Sequence, residues 1–377
     1  MNTNSLALHR KLNGKLTITT KLTLKNRNEL SLAYTPGVAQ IVEEIKKNPA
    51  SVYQTTIKGN TIAVITDGSA VLGLGNVGAL AALPVMEGKC AIFRQFAGLN
   101  AFPICLGTQD TDEIIKTIKN IAPVFGGINL EDISAPRCFE IEEKLQDIGI
   151  PVIHDDQHGT AITVLAGLLN ALKVVKKELA TSKIVVAGSG AAGISIAKLL
   201  IEAGVKNCLV VDRRGIISKN RAGLPPHKKD LAHLTNPDNT EGSLYDAVQN
   251  ADVLIGVSTK GLFTQEIIQA MNPGPVIFAL ANPDPEILPA DAKKWGARVI
   301  ATGRSDYPNQ INNALVFPGL FKGLLESHAH ELTTKMKLSI AQAIASLTPN
   351  PKPGKIISSI FNKQLVPTIC ATIKNRF

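Results

Sequence analysis

The stretch "KIVVAGSGAAGISIAKLLIEAGVKNCLVVDRRG", residues 183–215, decides the fold. An apolar run, 184–187, leads into Gly188-Ser189-Gly190-Ala191-Ala192-Gly193. A helical stretch, 194–203, follows, and then a second apolar run, 208–211, that ends at Asp212. Glycines at this spacing permit a tight turn and the close approach of a pyrophosphate, which rests on helix-terminal N–H groups. Asp212 stands about 20 residues further on, where a carboxylate takes a ribose hydroxyl. The plain alternative is a tight turn in an α/β domain that binds nothing. Runs at 251–257, 275–280 and 298–301 continue the strand pattern and end at Ser258, near Asn282-Pro283 and near Gly303. Small or polar residues at successive carboxyl ends suit a cofactor crevice. Asp212 disfavours a 2′-phosphate by charge and so favours NAD, whereas Arg213 and Arg214 would accommodate NADP.

Working outward, "INLEDISAPRCFEIEEKLQDIGIPVIHDDQHGTA", residues 128–161, holds two adjacent acid pairs, Glu131-Asp132 and Asp155-Asp156. Each pair follows an apolar run, 122–130 or 151–153, and the segment between them reads as a helix with Ser134 as N-cap and Gly149 as stop. A strand–helix–strand unit makes the two strands parallel, which brings both pairs to one sheet edge. Carboxylates gathered in this way repel unless a proton or cation sits among them. Acids without soft ligands select a hard cation, Mg²⁺ or Mn²⁺. His154 and His158 flank the second pair, but catalytic zinc usually takes three ligands rich in His or Cys.

The remaining segments frame these two signals. The first forty residues are polar and read as an extended arm, and Thr35-Pro36-Gly37 as a helix start. Strands are expected at 62–66, 90–93 and 102–106, and surface loop at 220–245. Apolar residues from Ile162 to Val175 recur at helical spacing and read as the helix joining two domains. The chain thus divides into a catalytic α/β domain over 1–160, a doubly wound parallel-sheet domain of Rossmann type over 161–340, and a basic segment, 341–377, folding back on the first domain.

Nearly half of the 377 residues are apolar, enough for a sizeable core. The net charge of +9 is dispersed, without the basic stripe and stacking aromatics that nucleic-acid binding needs. Five irregularly spaced cysteines point to reduced thiols and a cytoplasmic location. The most apolar stretch, 161–175, is interrupted by Asn170 and Lys173, which argues against a membrane span.

The segments "SLAYTPGVA", "TDGSAVLGLGNVG", "PVMEGKCAIFRQFAGLNAFPI", "INLEDISAPRCFEIE", "VIHDDQHGTAI", "ALANPDPEI" and "ATGRSDYPNQINNALVFPG" resemble, in order and spacing, the short bacterial-type malic enzymes. The likeness runs from about residue 9 and weakens after 330, and it implies that the first twenty residues belong to the mature protein. It further implies oxidative decarboxylation of (S)-malate to pyruvate and CO₂ with NAD(P) and Mg²⁺ or Mn²⁺, in a dimer or higher homo-oligomer. By the same resemblance Lys89 is the general base and Tyr34 the general acid. Glu131, Asp132 and Asp156 hold the metal; Asp155, next to the last of these, reads as orienting Asp156 or tuning the acid–base pair. Asn282, with Asn313 or Asn312, holds malate. Composition alone would make Lys89 a surface lysine, Tyr34 a packing residue and the asparagines caps. A free lysine has a pKa of about 10.4, so a base role requires burial or the metal to lower it. Longer malic enzymes anchor malate with an arginine in the "TDG…LGLG" segment, and Ala70 stands there in this chain. Rival readings are an oxaloacetate decarboxylase or other hydroxy-acid dehydrogenase, and a nucleotide sensor with a dead site.

Overall fold

The computed structural model describes residues 5–376, so the outermost limits of the first and last segments lie outside the described residues. Two parallel-stranded sheets organise the chain. The first contains β1 (Thr61–Thr66), β2 (Asn100–Cys105), β3 (Gly127–Leu130) and β4 (Val152–His154) in the order β2-β1-β3-β4. The second contains β5 (Lys183–Ala187), β6 (Asn207–Asp212), β7 (Gly215–Ile216), β8 (Val253–Gly256), β9 (Val276–Ala279) and β10 (Val299–Thr302) in the order β10-β9-β8-β5-β6-β7. Among these ten strands, only the β6–β7 pairing is antiparallel. Strand order reverses between β5 and β8, which opens a crevice at their carboxyl ends.

The strands are apolar on both faces because both faces are covered. Ile62 and Val64 of β1 join one cluster and Ala63 and Ile65 another. In β5, Ile184 and Val186 face the first of these clusters, while Val185 and Ala187 face a third. This period of two is the pleat of the strand. The cluster shared by the two sheets is built on helix Asp155–Val175, whose Ala161, Ile162, Val164, Leu165 and Leu168 are buried. That helix is long and apolar enough to cross a bilayer by length and composition, but its apolar face is spent on the protein's own core.

Several expectations are corrected. The first forty residues are not uniformly extended, for helices Ser5–Leu12 and Arg27–Ala33 form there, the second capped by Asn26 Oδ1 on the amide of Glu29. Neither helix buries a side chain. Residues 90–93 are not a strand. Cys90 closes the last turns of helix Gly78–Ile92, and Met86, Cys90 and Phe93 are buried at helical spacing. A four-residue apolar run fits either period, and the helix wins here because it continues from Gly78. Helix Pro226–Leu234 occupies part of the expected loop. Ser134 is not an N-cap, since Pro136 precedes helix Arg137–Glu143, and the Ser134 hydroxyl accepts from Arg137.

Helix Leu365–Arg376 packs on helix Phe317–Ser327, where Gly319 and Gly323 leave room for Ile369 and Ile373. Phe93 of the first layer contacts both Phe317 and Phe321, and Phe96 contacts Phe361.

Candidate active site

A cleft of about 900 Å³ lies between the carboxyl ends of the two sheets. Glu131 and Asp132 follow β3, and Asp155 and Asp156 open the helix that follows β4. One ligand oxygen each from Glu131, Asp132 and Asp156 lies within 4.8 Å of the others. Asp132 has φ of +52°, a left-handed conformation that a non-glycine residue adopts at a cost. Its amide donates to Asp156 Oδ2 at 2.9 Å, which ties the two pairs together. Asn129 Nδ2 donates to Glu131 Oε2 at 2.8 Å and fixes the third carboxylate. Burial pushes Glu131 and Asp156 above the usual carboxylate range, against the pull of Lys89. Three oxygen donors held close against their own repulsion form a set that fits a hard divalent cation.

Lys89 is brought to the same place by helix Gly78–Ile92. It is 6% exposed, and its Nζ lies 2.5 Å from Glu131 Oε1 and 2.6 Å from Asp155 Oδ2, with the Phe317 ring 4.3 Å away. Burial pulls its pKa down, but Asp155, Glu131 and Asp156 outweigh burial and hold it above the ordinary lysine value. The lowering that a base role requires is therefore not supplied by burial. Asp155 is fully buried, and burial pushes it up to about 7 although Lys89 opposes this. It touches Lys89 directly. His154 is fully buried and burial lowers it to about 4, so it is a neutral ring beside Asp156, at 3.6 Å. His158 pairs instead with the part-buried Glu142 at 2.9 Å.

On the opposite wall, each glycine of the turn has its own geometry. Gly188 has φ of +127°, and a Cβ on Gly193 would lie 2.0 Å from the Gly188 carbonyl oxygen. Gly190 has nothing within 4 Å of its Cβ direction and faces open space. These are the roles of tight turn, close helix–strand packing and ligand approach. Gly190, Ala191, Ala192 and Gly193 line the cleft, as does Asn282, while Gly188 and Ser189 are not part of its lining. Gly73, from the first layer, comes so close that its Cβ would sit 2.0 Å from the Asn282 carbonyl oxygen. Asn312 and Asn313 both line the cleft, but Asn312 Oδ1 caps the amide of Ala314 at 2.9 Å, which leaves Asn313 the freer side chain.

Two residues behave differently from expectation. Tyr34 is 67% exposed and is not among the residues that line the cleft. Asp212 sits at the end of β6, but its carboxylate is occupied. Arg221 donates to both oxygens at 2.6 and 2.8 Å, Lys228 to one at 2.8 Å, and the Arg214 amide at 2.8 Å. Burial pushes this carboxyl up, and Lys228, the Arg214 amide and Arg221 together bring it below its usual range. Sequence reasoning missed Arg221 and Lys228, since no motif ties them to Asp212. It also missed Asn129, although that residue stands two positions before Glu131.

The malic enzyme N-terminal domain model matches residues 13–146, and the malic enzyme NAD-binding domain model matches residues 157–370. An NAD-dependent malic enzyme of Geobacillus stearothermophilus is 53% identical over 361 residues, covering 95% of this chain and 75% of that protein. A bifunctional malic/malolactic enzyme of Bacillus subtilis is 49% identical over 373 residues, covering 98% of this chain and 91% of that protein. The crystal structure of an NAD-dependent malic enzyme from Thermotoga maritima superposes with a TM-score of 0.95 at 46% identity, covering 99% of each chain.

Proposed function

Because this chain belongs to the malic enzyme family, we propose that it oxidises (S)-malate with NAD and releases pyruvate and CO₂. One observation carries the reading: Lys89, three convergent carboxylates, Asn313 and the Gly190–Gly193 turn line a single cleft. Glu131, Asp132 and Asp156 would hold Mg²⁺ or Mn²⁺. When bound, such a cation supplies Lewis acidity to the malate oxygens and neutralises the carboxylate charge that keeps Lys89 protonated. Lys89 Nζ takes the C2 hydroxyl proton as hydride leaves for the nicotinamide. Asp155 Oδ2, 2.6 Å away, is placed to relay that proton from Nζ. Asn282 and Asn313 orient malate against the ring. The buried floor, with Phe317 over Lys89, excludes water from the base.

The enolate left by CO₂ loss is protonated at C3, and Tyr34 is our choice of acid. Its exposure supports a homodimer in which Tyr34 of the partner subunit reaches the cleft. Exposed Leu30, Leu32, Ile41 and Val42 surround it in the chain, an apolar set that a second copy would cover. Domains 1–160 and 161–340 would form the two walls, with 341–377 touching the first through Phe361 on Phe96 and the second through helix Leu365–Arg376 on helix Phe317–Ser327. The five cysteines form no disulfide and fit a cytoplasmic enzyme. NADP remains a second reading because Arg221 and Lys228 bring two cations to the ribose edge.

The test mixes protein, malate, Mn²⁺ and NAD or NADP, and follows reduced cofactor and pyruvate. Reduction with oxaloacetate but no pyruvate would indicate a plain dehydrogenase, and cofactor binding without turnover a sensor. For the shared site, Tyr34→Phe and Lys89→Ala are each expected to be inactive. Refolded together, they regain about a quarter of wild-type activity, the share of intact sites in a random mixture of dimers. No recovery would remove the partner's Tyr34 from the site.

A further inference from the structure

Malate carries two carboxylates, yet the cleft wall near the acid cluster presents the uncharged Ala70. Among the described residues that line this cleft, the basic side chains are His9, Lys15 and Lys89. Lys89 is committed to Glu131 and Asp155. Lys15 is not committed to any acid: its Nζ donates to the Pro84 carbonyl at 2.6 Å, and no carboxylate pairs with it among the described residues. An ammonium has three donors, so two remain for a ligand.

Its position is built rather than accidental. The Lys15 amide donates to Glu87 Oε2 at 3.2 Å, and the neighbouring Leu16 packs against the main core cluster. Residues 14–16 are thereby pinned across helix Gly78–Ile92, the same helix that carries Lys89. Gly88, the residue before Lys89, faces Lys15 Nζ, which lies 3.7 Å from the position of a Cβ there.

We propose that Lys15 is the substrate-anchoring cation of this chain and pairs with the C1 carboxylate of malate. This rests on the malate reading above. The choice of C1 follows from charge. The C4 carboxylate loses its charge as it departs as CO₂, so a cation on it would stabilise the ground state more than the transition state. The C1 carboxylate keeps its charge from malate through to pyruvate, and a cation there binds every species alike. Uniform binding of this kind appears in KM rather than kcat.

The experiment compares wild type, Lys15→Met and Lys15→Arg in steady-state malate oxidation with NAD and Mn²⁺. Melting temperature and NAD affinity, measured alongside, report on folding and on the cofactor wall. Lys15→Met is expected to raise the KM for malate roughly 10- to 100-fold, the worth of a charge-assisted hydrogen bond, with kcat within about threefold of wild type. Product inhibition by pyruvate should weaken by a similar factor, and Lys15→Arg should recover much of both. An unchanged KM in a folded Lys15→Met enzyme overturns the proposal. A raised KM with unaltered pyruvate inhibition overturns the C1 assignment. Wild type that does not oxidise malate at all instead refutes the functional reading, and this inference with it.

Discussion

Replacing Asp212 with alanine should invert the cofactor preference, because that carboxylate does two jobs at the end of β6. It would accept a ribose hydroxyl in exchange for one of its present donors, and in the free protein it binds Arg221 through both oxygens and Lys228 through one. Its side chain and that of Arg221 are each only 12% exposed, so these charges are poorly screened. Losing a hydrogen bond to an ionised acceptor costs about 1.5–3 kcal/mol, which would weaken NAD roughly 10- to 100-fold. For NADP the change has the opposite sign. One negative charge at about 5 Å repels each unit of phosphate charge by about 3 kcal/mol at an effective dielectric of about 20. The alanine removes that repulsion and leaves Arg221 and Lys228 to meet the phosphate. The ratio of kcat/KM for NADP over NAD should therefore rise by roughly a thousandfold to ten-thousandfold. Initial rates at saturating malate with both cofactors measure it, and a melting curve checks that freeing two cations has not unfolded the edge of the sheet. Equal losses for the two cofactors would show that Asp212 does not touch the ribose.

Two further outcomes are expected. A Cβ at Gly159 would lie 2.0 Å from Asp155 Oδ1 and 3.0 Å from Asn313 Cβ, so Gly159→Ala should push Asp155 off Lys89 and lower kcat by roughly 100-fold or more while NAD affinity persists; normal turnover would mean that Asp155 is not needed where it stands. Asp252 binds the Lys177 ammonium, the Lys183 amide at 2.9 Å and Asn272 at 2.7 Å, and although burial opposes them these partners hold its carboxyl below the usual range. A depressed folded-state pKa gives stability that is present above the unfolded value and lost as pH falls through the folded one. Asp252→Asn should thus cost about 1–3 kcal/mol at pH 7, and urea denaturation should show the gap between the two proteins closing below about pH 4. A gap that stays constant with pH would assign the loss to geometry rather than charge.

Much of this molecule was legible in one dimension because its signals are local. The turn 188–193 needs glycine for backbone reasons that hold wherever the turn occurs, and it is found between β5 and its helix as read. Both acid pairs follow short apolar strands, and parallel pairing of β3 with β4 brings them to one edge. The misreadings are of two kinds. Residues 90–93 were ambiguous because four apolar residues satisfy either period, and only the continuation from Gly78 settles the matter. The helices of the first forty residues lack an apolar stripe buried in this chain, so periodicity gave no sign of them.

What the sequence determined by itself was chemistry: which residue types exist, and which short spacings fix a turn, a strand or a pair of acids. The tertiary structure alone decided which of those residues share charge. Lys89 is held protonated by acids 42 and 66 positions away, Asp212 is neutralised by cations 9 and 16 positions away, and Lys15 reaches the wall 69 positions away. Electrostatic energy depends on distance in space and on burial, and neither quantity is written in the order of the chain.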